Sequence, residues 1–180
     1  EAGIREVIVV SRVDPIKRVD LLLDALDITP ELGSMRFRVF GTGWDLDALR
    51  ARAEHDHPNV RFEGFSSDVP AAIAGSDLLL HLCPEEPFGL AILEAMAADV
   101  PVLVPDSGGA AALVEPGVSG MRFRGNDAND LANGLLKVAS MPAENLNNLV
   151  GSARLTLESR FSPEARIPDY RRLLEECQPW

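Results

Sequence analysis

Two cations stand out in this acidic sequence: Arg12 and Lys17, close together just after the apolar run Glu6 to Val10. A guanidinium grips phosphate with a planar fork of donors and an ammonium acts as a compact point charge, so the pair suits one small polyanion. Solvated surface charges are the other reading of the same residues. The second loaded pair is Glu86 and Glu94, in Cys83-Pro84-Glu85-Glu86-Pro87-Phe88-Gly89-Leu90-Ala91-Ile92-Leu93-Glu94. Pro87 and Gly89 mark a helix start, where the amides near Gly89 and Leu90 lack intrahelical acceptors and suit an anion. A carboxylate beside such a site needs a different purpose. A vicinal ribose diol supplies it, since two hydroxyls donate to one carboxylate, and the spacing leaves Glu86 beyond the phosphates, near whatever group they carry. A helix-start acid for Glu86 and a solvated acid for Glu94 are the alternatives.

Further loops carry weaker signals. Gly41 and Gly43, in Phe40-Gly41-Thr42-Gly43, permit close backbone approach to a ligand or form a plain turn. Leu46 fills the last position of a Gly-x-Gly-x-x-Gly pattern, so a nicotinamide dinucleotide fingerprint is not supported. Gly64 and Phe65 are placed to flank a base, and Gly108-Gly109 opens another helix whose amides suit an anion or a sugar. His81 reads as a core or rim histidine, and His55 and His57 are assigned no chemistry. No Ser-His-Asp order, Walker loop or His/Cys metal spacing occurs in the sequence.

The elements that must position these residues alternate. Strands are expected at Glu6 to Val10, Arg36 to Phe40, Val60 to Glu63, Asp77 to Leu82, Val102 to Val104 and Gly120 to Phe123. Helical stretches fall between them, at Val19 to Leu26, Asp45 to His55, Val69 to Ala74, Gly89 to Ala98, Gly109 to Val114 and Asn129 to Ala139. The fold class that follows is α/β, a doubly wound, Rossmann-like, six-stranded parallel sheet. In such sheets ligands bind outside the carboxyl ends of the strands, where the loops above lie. The expected division is 1–142 as the sheet domain and 143–180 as a helical tail of the same domain, split by Phe161-Ser162-Pro163.

Composition narrows the partners. With 17 Lys and Arg against 28 Asp and Glu, the formal charge of −11 repels nucleic acid and anionic membrane surfaces. No apolar run approaches the roughly 20 residues of a bilayer span. The charged start, which leads at once into an apolar strand, leaves no room for a signal peptide, and a cytoplasmic location is expected. Cys83 and Cys177 are too few for a disulfide framework and read as buried or half-buried thiols.

Taken together, these residues resemble the C-terminal, nucleotide-sugar-binding half of retaining glycosyltransferases of the GT-B fold, in the family called group 1 or family 4. The resemblance rests on the Glu-x7-Glu motif from Glu86 to Glu94, on Glu94-Ala95-Met96-Ala97-Ala98-Asp99-Val100-Pro101-Val102, and on Arg12 with Lys17. Asn59 to Gly64, Ser76-Asp77, Gly108-Gly109, Glu115 to Gly120 and Arg160-Phe161-Ser162 add to it. It departs from the family at Ser11, Arg18 and Asp99, where glycine is common.

The resemblance implies that Arg12 and Lys17 neutralise a pyrophosphate, Gly89 and Leu90 give it amides, Glu94 holds the ribose and Glu86 touches the donor sugar. It implies UDP- or GDP-type donors, with the base met near Gly64 and Phe65, and no cofactor or divalent metal. It also implies an N-terminal acceptor domain outside this chain, so that the chain alone binds nucleotide without turning it over. The apolar face of the last helix, around Ile167, Tyr170, Leu173 and Leu174, is expected to pack on that domain, through which any membrane association of the full enzyme would run. A non-catalytic nucleotide-binding module is the alternative function. An epimerase is another. A phosphorylase would need a lysine for pyridoxal phosphate, and Lys137, the only lysine besides Lys17, lies in a late helix.

Overall fold

The computed structural model describes residues 3–177. The apolar runs form six strands: β1 (Glu6–Val10), β2 (Arg36–Phe40), β3 (Val60–Gly64), β4 (Leu78–Leu80), β5 (Val102–Pro105) and β6 (Met121–Phe123). They make one sheet in the order β3-β2-β1-β4-β5-β6, every neighbouring pair parallel. The order reverses between β1 and β4, which creates a crevice at the carboxyl ends of those two strands.

Parallel neighbours demand crossovers. These are α1 (Asp20–Ile28), α2 (Leu46–Asp56), α3 (Val69–Ala74), α4 (Leu90–Ala97) and α5 (Gly108–Leu113), followed by α6 (Ala128–Ala139), α7 (Ala143–Phe161) and α8 (Pro163–Glu176). Because strand side chains alternate, β1 sends Val7 and Val9 to one face and Ile8 to the other. The first face packs on Leu22 and Leu23 of α1 and Leu131 and Leu135 of α6; the second packs on Ile73 of α3 and Ile92 and Met96 of α4. Leu149 of α7 joins the first core and Ala153 the second, so this helix ties the two layers together. Asp127 caps α6 by accepting from the Asp130 amide at 3.0 Å.

Strand β4 is shorter than the expected Asp77 to Leu82. The Asp77 carboxylate accepts from the Arg5 and Glu6 amides, both at 2.8 Å, and so caps the entry of β1, while the Asp77 amide donates to the Glu6 carbonyl at 2.8 Å. Asp77→Ala removes an ionised acceptor from two amides and is expected to cost about 1–2 kcal/mol. Asp77→Asn, which keeps an acceptor oxygen, should recover part of that in urea unfolding. Two Pro-led 3-10 turns, Pro15–Lys17 and Pro30–Ser34, carry no periodicity and were not expected. Cys83 is buried as expected, but Cys177 is exposed, because it ends α8, a helix with no buried residue among those described. On α8, Ile167, Tyr170, Leu173 and Leu174 are exposed. No described helix is long and apolar enough to cross a membrane.

Candidate functional site

The loops after β1, β2, β4 and β5 meet over the crevice, and their backbones are locked together. Ser11 and Val13 donate to the carbonyls of Phe40 and Thr42 at 3.1 and 3.0 Å, and Gly41 donates to Gly64 at 2.8 Å. A Cβ on Gly41, where φ is 137°, would stand 1.8 Å from the Ser11 carbonyl oxygen, and one on Gly43 would stand 2.3 Å from that of Val13. The close approach these two glycines permit is thus made first of all to the loop carrying Arg12. That loop is braced again by Asp14, whose carboxylate accepts from the Trp44 amide at 3.0 Å and pairs with Arg12 at 3.1 Å. Arg12 itself is largely exposed, its side chain 70% accessible at the mouth of β1.

The turn Pro15–Lys17 swings Lys17 inward. Its Nζ lies 2.7 Å from Glu86 Oε2, with both side chains mostly covered. Arg12, Lys17 and Glu86 are 69 to 74 residues apart in sequence for the pairs with Glu86, and the parallel neighbours β1 and β4 carry the two loops side by side. The Glu86 loop is held from below by β5 and its successor. Gly109 donates its amide to the Glu86 carbonyl at 2.6 Å, and the Ser107 hydroxyl donates to the Pro84 carbonyl at 3.0 Å. The Gly109 amide, expected to suit an anion or a sugar, is therefore spent on backbone. A Cβ there would stand 2.1 Å from the Pro87 carbonyl oxygen. The buried Cys83 thiol donates to the Ile16 carbonyl at 3.3 Å, stitching the β1 and β4 loops, and burial holds its pKa above the ordinary thiol value.

Gly89, with φ 94°, turns the chain into α4, and Leu90 is that helix's first residue. Glu94 follows one turn later, exposed on its surface. Gly64 has φ 74° and Phe65 is exposed. The candidate site residues therefore lie in the loops that follow the carboxyl ends of β1 to β4 or in the first turns of α4.

Burial alone would raise the Glu86 pKa. The Lys17 hydrogen bond and charge, with His81 and the Phe88 amide, outweigh it and hold the carboxyl below its ordinary value. His81 is a residue whose bearing on the site the sequence reading missed; its only sequence signal is a position five residues before Glu86. The ring is buried with Nε2 3.6 Å from Glu86 Oε2. Desolvation pushes its pKa down to about 4, against the pull of the Glu86 charge and with the help of Lys17. The unfolded chain takes up a proton on this ring below about pH 6.5, whereas the folded chain refuses it until about pH 4. Stability is therefore expected to fall as pH drops through that window, by a total on the order of 3 kcal/mol. Urea titrations across the window check this slope, which His81→Gln should flatten.

A doubly wound parallel sheet with Lys17, Glu86 and a helix start at its switch point defines a Rossmann-like α/β domain with a charged crevice. Residues 3–156 match the family described as glycosyl transferases group 1, and the chain belongs to that family. It is 32% identical over 114 residues to the GDP-mannose-dependent alpha-mannosyltransferase of Mycobacterium tuberculosis, covering 62% of this chain and 28% of that protein. It is 30% identical over 174 residues to the glycogen synthase of Thermus thermophilus, covering 93% of this chain and 38% of the synthase. The crystal structure of Anabaena HepE in complex with UDP superposes with a TM-score of 0.85 at 27% identity, over 97% of this chain and 50% of HepE. The chain thus spans half or less of the length of each of these relatives.

Proposed function

We propose that this chain is the donor-binding half of a retaining glycosyltransferase, which moves a sugar from a nucleoside diphosphate to an acceptor. The observation that carries the reading is the Lys17–Glu86 pair at the crevice, beside the start of α4 and the exposed Arg12. Complexes of HepE with UDP and with UDP-glucose support a nucleotide-sugar donor of UDP type, and the GDP-mannose-dependent relative keeps GDP as the other candidate.

In this reading Arg12 and Lys17 face the diphosphate, with the free amides at Gly89 and Leu90 completing its shell. Cleavage of the bond between the sugar's anomeric carbon and the phosphate oxygen leaves negative charge on the diphosphate. Fixed cations and helix-end amides stabilise that charge where it develops, which lowers the barrier. Glu94 receives the ribose hydroxyls and Glu86 the donor sugar, while Gly64 and Phe65 border the base; Gly41 and Gly43 keep the β1 loop in place beneath it. Two cations supply the charge a divalent ion would otherwise bring, so the reaction runs without metal or cofactor.

The acceptor site lies on an N-terminal domain, against which the exposed face of α8 packs. The chain alone then binds nucleotide and does not turn it over. With that domain joined to it, the enzyme is expected to stay active in a chelator and to give a product whose anomeric configuration matches the donor's, read by proton NMR. Loss of activity in the chelator, or an inverted anomer, contradicts this reading.

A further inference from the structure

Lys17 Nζ and His81 Nε2 approach the same oxygen. Lys17 holds Glu86 Oε2 at 2.7 Å, while His81 Nε2 stands at 3.6 Å from it and has no hydrogen-bond partner among the described residues. A buried ring nitrogen without a partner is rare, because its desolvation is then uncompensated. The ring is 5% exposed and fixed at the end of β4, where its amide donates to the Leu103 carbonyl at 2.9 Å. The Glu86 backbone is equally fixed, by the Gly109 amide. Lys17 is the mobile member of the three, an ammonium on a flexible four-carbon stem.

A diphosphate at this crevice competes with Glu86 for that ammonium. If Lys17 turned to the phosphate with nothing in exchange, a mostly covered carboxylate would lose its charge partner, and the cost would be subtracted from nucleotide affinity. We propose that His81 is a positioning residue that takes over Glu86 as Lys17 is drawn to a diphosphate, its Nε2–H closing onto Oε2 and holding the carboxylate in place. The neutral imidazole donates one proton from Nε2, so the exchange needs no change in the net charge of the three groups. This inference rests on the diphosphate reading of the site.

The test uses the folded chain and separate titrations with UDP, GDP and ADP. Nitrogen-15 NMR of the histidine rings should show the His81 Nε2–H resonance moving downfield on saturation with whichever nucleotide binds, while His55 stays still. His81→Leu should weaken that binding about tenfold, the ordinary penalty for stripping the partner from a covered charged group, and His81→Gln, which returns a donor near the Nε2 position, should restore most of it. A His81 resonance that does not move, in a wild-type chain whose binding still depends on Lys17, overturns the exchange and leaves the diphosphate site standing. Unchanged affinity in a folded His81→Leu variant does the same. Absence of binding by the folded wild type to all three nucleotides overturns the diphosphate reading and the exchange with it.

Discussion

Alanine at both Arg12 and Lys17 is expected to weaken nucleoside diphosphate binding by at least about a hundredfold, each charge-assisted contact to phosphate contributing roughly 1.5–3 kcal/mol. The two single variants should differ in a second respect. Arg12 is exposed, and its partner Asp14 remains tied to the Trp44 amide, so Arg12→Ala should leave stability nearly unchanged. Lys17→Ala removes the group that holds the Glu86 carboxyl low, and that pKa should rise. A carboxyl whose folded pKa is depressed contributes stability above its unfolded value and loses it as pH falls through the folded one. Lys17→Ala should therefore flatten the acid limb of the stability profile, as well as weaken binding by at least about tenfold. Calorimetry and urea unfolding at several pH values separate the two effects.

Gly41→Ala is expected to be the most damaging single methyl in the chain, costing about 3 kcal/mol or more. The new Cβ would lie 1.8 Å from a backbone oxygen, at a φ of 137° that side chains rarely adopt. No flexible side chain is there to yield; the β1 and β2 loops must part, breaking the bonds from Ser11 and Val13 and displacing Arg12. Gly151→Ala is the matched control. It lies exposed in α7 with nothing within 4 Å of its added Cβ, and should stabilise by about 0.5–1 kcal/mol through helix propensity. Thermal unfolding of the two variants side by side checks the contrast.

Much of this architecture is legible in the amino-acid sequence. Apolar runs such as Val7 to Val10 leave a strand buried on both faces as their natural reading, and the alternation with helical periods requires parallel crossovers. The strand ends then gather Arg12, Lys17, Glu86 and the start of α4 at one edge, which the sequence order alone implies. What stayed hidden depends on contacts between distant loops. Nothing local shows that Lys17 reaches Glu86, that the Cys83 thiol bonds to Ile16, or that Gly109 spends its amide on Glu86, since each partner lies over 20 residues away. Asp77 looked like the first residue of a strand, and its role as a cap emerges only with β1 beside it. Arg18 and Asp99, which stand where the family commonly has glycine, adopt φ of 54° and 58°. The backbone keeps the left-handed turn and tolerates a side chain there, with Arg18 bonded to Asp20 and Asn126 and Asp99 to Arg154. The sequence marked these positions as departures without showing that they share a conformation.

The most direct test of the central claim is a calorimetric titration of the folded wild-type chain with UDP, GDP and ADP in the presence of a chelator, repeated on the Arg12→Ala, Lys17→Ala variant. One-to-one binding of a nucleoside diphosphate without metal, lost in the variant, is the expected result. A folded chain that binds none of the three, or a variant that binds as the wild type does, contradicts it.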